Sequence, residues 1–193
     1  PGVPIRFMQD TGIEIDDGGT LTAVGTESEP VTFTGEEAVR GYWKGLYFSN
    51  SNSIDNRIAH AVVEYAGGWD YSDGFQAALF LDDSGYDVSV AVESATVRQS
   101  EGHGIHLSAN AQLPTFASNT ITENPLGPVF AEATAVEYLD ATSSYTGNDV
   151  DLVEVRPTYV SLSTDATWQD LDADYLMLDV LWIEEGGHLT IEE

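Results

Sequence analysis

One stretch concentrates side chains that could move protons. "ATVRQSEGHGIHL", residues 95–107, carries Arg98, Glu101, His103 and His106, with Glu93 just upstream. A general base needs a group that titrates near the working pH and a neighbour that orients it. In a catalytic reading His103 or His106 is the base and Glu101 the orienting carboxylate, with Arg98 close by in the sequence. Strand alternation supplies the competing reading. Ile105 and Leu107 flank His106, which puts His106 on the outer face of a strand and His103 at a bend. The balance favours no catalytic residue.

Carboxylates are abundant. Glycoside hydrolysis needs two of them converging on one bond, and Asp16-Asp17, Asp82-Asp83, Asp87, Asp172 and Asp174 supply candidates. "DDGG" and "DDSG" read equally as turns, where Asp satisfies the local backbone. Calcium takes six to eight oxygens. Two acidic loops on neighbouring strands could offer them: "LDDSGYD" with Asp82, Asp83 and Asp87, and "WDYSDG" with Asp70 and Asp73. Neither is a complete calcium-loop motif, so no cofactor is required and calcium is the one candidate. Trp69 and Tyr71, with Trp43 in "RGYWKG", are the aromatics least easily placed in a core, and exposed rings beside acids suit stacking on a sugar.

These groups sit on a strongly acidic chain. Over 193 residues, 33 Asp and Glu face 6 Lys and Arg, a formal charge of −27. Such a surface repels nucleic acid and anionic lipid, so neither is an expected partner. It suits solubility in brine, seawater or a calcium-rich medium. No run reaches the ~20 apolar residues of a membrane span, so no membrane insertion is expected. Zero cysteines remove disulfide and thiol chemistry.

Short apolar runs separated by Gly, Asn, Asp and Ser predict strands and turns without a long helix. Three segments align in columns: Val63, Val97 and Ile121; Leu79, Ile105 and Val129; Ala66, Ser100 and Asn124. The recurring unit of about two dozen residues is the spacing of a solenoid whose passes stack on one another. Residues 67–74 read as a loop bulging from that stack, and Ser100 and Asn124 as bend residues bonding locally.

"GGTLTAVGTESEPVTFTG", "GYWKGLYF", "NRIAHAVVEYAGG" and "SNTITENPLGPV" resemble right-handed parallel β-helix repeat proteins of secreted and surface type, a pectate-lyase-like architecture. The resemblance implies an all-β fold, a right-handed parallel β-helix of seven to eight coils with uncapped ends. Enzymes of this fold abstract a proton with a basic residue and bind calcium through carboxylates, but their lyase motifs are not recognisable here.

The end of the chain resembles its beginning. "LWIEEGGHLTIEE" (181–193) aligns with "IEIDDGGTLTAVG" (13–25), matching Ile183 to Ile15, Gly186-Gly187 to Gly18-Gly19 and Leu189-Thr190 to Leu21-Thr22. Residues 1–193 therefore read as one module, with 165–193 beginning the next coil of a tandem or head-to-tail array. Pro1, Val3, Ile5, Leu189 and Ile191 would form the joint. The expected function is a non-enzymatic structural or adhesive module at the cell surface or outside the cell. Its partners would be identical or homologous modules. The alternative is a carbohydrate-active enzyme or carbohydrate-binding module.

Overall fold

The computed structural model describes residues 2–68, 75–82, 86–157 and 161–192. The chain is all-β with parallel sheets. Among these residues the only helix is one 3-10 turn, Val136–Tyr138. A seven-stranded sheet runs in the order Ile13–Ile15, Leu46–Ser49, Ala77–Asp82, His103–Leu107, Gly127–Glu132, Leu152–Arg156 and Asp174–Met177. Every neighbouring pair in it is parallel. A five-stranded sheet pairs Pro4–Phe7, Val31–Gly35, Ala61–Glu64, Thr96–Arg98 and Thr120–Thr122, also in parallel. A four-stranded sheet joins Thr22–Val24, Arg57–Ala59, Ala91–Glu93 and Phe116–Ala117. Up to residue 117 the chain visits these three sheets in strict rotation. Parallel neighbours cannot be joined by a tight hairpin, and the intervening strands of the other sheets are the connection.

The columns read from the sequence are pairs in the ladder. Val97 pairs with Val63 and Ile121, and Ile105 with Leu79 and Val129. These residues are fully buried and form one core with Phe33, Phe48, Ile58, Val92 and Val153. Two further columns have left-handed backbone at the corners: His60, Ser94 and Ser118 (φ 45°, 49°, 56°), and Tyr65, Gln99 and Glu123 (φ 61°, 53°, 59°). The same turn therefore recurs at equivalent points, although its residues differ.

The bend residues behave differently from the sequence expectation. Asn124 does not bond locally: its Oδ1 accepts from the Ser100 N–H at 3.1 Å and its Nδ2 donates to Val97 O at 3.4 Å. Its own N–H then donates to Asn148 Oδ1 at 3.0 Å. Asn119 makes the same link, accepting from the Ala95 N–H and donating to Val92 O, both at 3.0 Å. The corner backbone turns away from its own strand partners, and a buried amide in the adjacent pass satisfies it. Asn124→Ala leaves the buried Ser100 N–H without its acceptor and removes a donor to Val97 O. It should lower the unfolding free energy by about 1–3 kcal/mol, read as a shifted urea midpoint with unchanged m-value; a loss below measurement error would show that the ladder is dispensable.

The two similar segments share a turn. Gly19 N–H donates to Asp16 O at 2.8 Å and Gly187 N–H to Glu184 O at 3.0 Å, and the preceding glycines have φ of 76° and 96°. Their surroundings differ. Ile15 lies in the seven-stranded sheet, whereas among the described residues Trp182–Ile183 pairs with Ser161–Leu162 alone, and His188–Ile191 pairs with Asp165–Trp168.

Candidate functional site

A dense polar and aromatic grouping lies on the outer face of the seven-stranded sheet. Inward residues such as Leu79, Ile105, Val129 and Val153 fix the parity of their strands, so the next residue of each points outward. That places Tyr47, Phe80, His106, Phe130 and Glu154 in one outward column. His106 is sandwiched in it: its ring stacks on Phe80 at 3.9 Å with an 8° interplanar angle and on Phe130 at 4.9 Å with 15°. Phe75 covers the sandwich, 5.0 Å from His106 and 4.6 Å from Phe130. The Arg156 guanidinium sits 4.5 Å from the Phe75 ring centre and 5.2 Å from that of Phe130.

Carboxylates border this slab. Glu132 Oε1 lies 3.5 Å from Arg156 Nε, and Glu154 Oε2 lies 3.4 Å from His103 Nε2. Burial raises Glu154 above the ordinary carboxylate range. Tyr47 donates its hydroxyl to Asp82 along the same face. His103 and His106 are both buried. Desolvation lowers His103 to about 4, and desolvation first, then the His103 and Arg156 charges, lowers His106 to about 3. At neutral pH both imidazoles are uncharged, so the contact of His103 with Glu154 is not an ion pair. His103 Nε2, His106 Nδ1 and Arg156 Nε have no hydrogen-bond partner among the described residues.

This arrangement is poorly suited to proton transfer at pH 7. A base whose conjugate acid titrates near 3 or 4 accepts protons weakly, and His106 is closed by phenyl rings. Comparisons with protein families, curated proteins and solved structures found no match. Nothing in those comparisons assigns a reaction to the face.

The structure does not assemble the catalytic candidates. His103 begins a strand and does not stand at a bend. His106 points outward as alternation predicts, but aromatic rings cover it. Arg98 lies in the five-stranded sheet, where its Nε and a terminal nitrogen donate to Glu64 Oε2 at 3.0 and 2.7 Å. Glu93 is engaged by Arg57 at 2.6 Å, and Glu101 is exposed at a turn. Trp43 is corrected outright as a ligand platform: it is 0% exposed and stacks on Phe7 at 4.1 Å.

Trp69, Tyr71, Asp70, Asp73, Asp83 and Pro1 lie outside the described residues. Asp82 holds the Tyr47 hydroxyl and Asp87 is exposed. Among the described residues no three His, Asp or Glu side chains gather to hold a metal ion. The paired acids act in turns: Asp16 Oδ1 accepts from the Asp17 N–H at 2.7 Å, and Asp172 accepts from Ser144 Oγ and the Tyr145 N–H, both at 2.8 Å. Of the proposed joint residues, Val3 and Ile191 are exposed while Ile5 and Leu189 are half-buried.

Phe75, Phe80, Phe130, Glu132, Glu154 and Arg156 escaped the sequence reading. A signal existed for three of them. Moving the Leu79–Ile105–Val129 column one residue forward gives Phe80, His106 and Phe130, and one further spacing of 24 gives Glu154.

Proposed function

We propose that this chain is a non-enzymatic structural module, a right-handed parallel β-helix of seven to eight coils from an extracellular or cell-surface protein, which continues end to end into a like module. The observation that carries this reading is the apolar character of the open sheet edge. In the strand Asp174–Met177, Tyr175 and Met177 continue the inward columns of Val153 and Val155. Met177 is nevertheless 40% exposed, and nearby Ile183 and Ile191 are 51% and 63% exposed. At the opposite edge of the same sheet, Ile13 and Ile15 stand in line with Leu46 and Phe48. A parallel strand laid across either edge would extend the ladder, and at the Met177 edge it would cover exposed apolar side chains, at ~25 cal/mol per Å² of apolar area removed from water. Unpaired, apolar strand edges normally acquire a cover.

The role is mechanical: stacked strands and buried amide ladders resist bending, while the acidic exterior keeps modules apart laterally. Separate copies each carry −27, so their approach should depend on salt, which shortens the screening length from ~10 Å at 0.1 M to ~3 Å at 1 M. Sedimentation velocity tests the reading. Self-association should grow from 0.1 to 2 M NaCl and be lost in Met177→Asp and Ile191→Asp. A chain that stays monomeric at millimolar concentration throughout would overturn stacking between separate copies. Turnover of polygalacturonate, alginate or chondroitin, abolished by His103→Ala, would overturn the non-enzymatic assignment.

A further inference from the structure

The outer-face slab carries a second inference, independent of end-to-end stacking. His106 is a base placed where its charged form is poorly accommodated. Phenyl rings lie on both its faces, from Ala77–Asp82 and from Gly127–Glu132, and a third, Phe75, closes over it. The charges that act on it are positive, Arg156 from Leu152–Arg156 and, once that ring is itself protonated, His103 from its own strand. The carboxylates on these elements are directed elsewhere: Glu154 at His103, Glu132 at Arg156, and Asp82 at Tyr47. His103 has a carboxylate within 3.4 Å to receive its proton's charge. His106 has its Nδ1 buried with no partner among the described residues.

Phe75 is the cover. Its ring is held by contact with His106 and Phe130 and by the guanidinium of Arg156. An imidazolium created beneath it needs water or a counter-charge. Phe80 and Phe130 are buried in the middle of strands paired on both sides. Phe75 is half-buried at the rim, before the strand Ala77–Asp82 begins, so it is the ring of the three best placed to turn outward.

We propose that Phe75 is an acid-released latch: protonation of His106 displaces the Phe75 ring and uncovers the Phe80–His106–Phe130 strip. Stacking on the phenyl faces gives the imidazolium some cation–π attraction, which opposes release. Nearby Arg156 and the desolvation of the site favour it. Closed, His106 titrates near 3, far below a solvated imidazole at ~6.5. The proton therefore binds the open state preferentially, and opening advances as pH falls below that value.

The test is a proton NMR titration of the full chain in dilute solution from pH 7 to pH 5. The ring–ring contact between Phe75 and His106 should be largely lost by pH 5 while the amides of Ile105 and Val129 remain protected. In His106→Phe the contact of Phe75 with the substituted ring should persist at pH 5. In Phe75→Ala the titration midpoint of His106 should rise by at least one pH unit. The proposal falls if the wild-type contact survives at pH 5, if it vanishes only together with amide protection, if His106→Phe opens at the same pH, or if Phe75→Ala leaves the midpoint unchanged.

Discussion

Replacing Trp43 by alanine should lower the unfolding free energy by about 3–5 kcal/mol, the range for deleting a fully buried aromatic side chain. The indole has no exposed surface, stacks nearly parallel on Phe7 at 4.1 Å and 6°, and donates Nε1–H to Glu64 O at 2.8 Å. Phe7 is in the outermost strand of the five-stranded sheet, so Trp43 fastens the segment leading to Leu46–Ser49 against that sheet's edge. The same Glu64 binds Arg98 and Thr34 through its side chain, which ties the loss to an ion pair on the neighbouring pass. Trp43→Phe keeps a stacking ring but leaves a carbonyl without its donor, and should cost about 1–3 kcal/mol. Urea titration at fixed salt separates the two. A loss under 1 kcal/mol for the alanine variant would mean that the indole is not packed, and would restore it as a surface platform.

Acid should destabilise the closed fold through His103 and His106. Both bases titrate lower when folded, near 4 and 3, than the ordinary value of 6.5. Between those values the unfolded chain binds more protons. Their contribution is complete above pH 6.5 and declines as pH falls, by at most about 1.4 kcal/mol per pH unit for each histidine. At pH 5 that is about 2 kcal/mol each. Opening of the Phe75 latch limits the His106 share, because the open native state takes up the proton. Carboxylate protonation relieves the −27 self-repulsion and acts in the opposite direction, so the informative quantity is a difference between variants. His106→Phe replaces the titrating ring with one that can stack between Phe80 and Phe130, and should remove up to about 2 kcal/mol of the loss between pH 7 and pH 5. Denaturation curves for wild type and variant that fall in parallel over that range would exclude His106 as a source of acid sensitivity.

Val97 and Ile105 were placed correctly because a buried apolar column must repeat at the spacing of successive passes, and that spacing survives in a single chain. The residue type of Asn124 marks a bend, but not its partners. Its bonds run to Ser100 and Val97 on another pass, and proximity along the chain carries no information about them. Arg98, Glu101, His103 and His106 looked like one cluster because they are neighbours in sequence. A corner between Arg98 and His103 puts Arg98 in one sheet and the histidines in another.

The sequence by itself determined the strand-and-turn character, the two-dozen-residue spacing, the acidic surface and the identity of the inward columns. Each follows from composition or from a repeat that hydrophobic burial imposes residue by residue. Only the tertiary structure decided that Trp43 is core, that Arg98 belongs to Glu64, and that Phe75 and Arg156 close over His106. Burial of an outward-facing ring and the titration of a buried base depend on what neighbouring passes bring across it, and those neighbours lie 24 to 50 residues away in the chain.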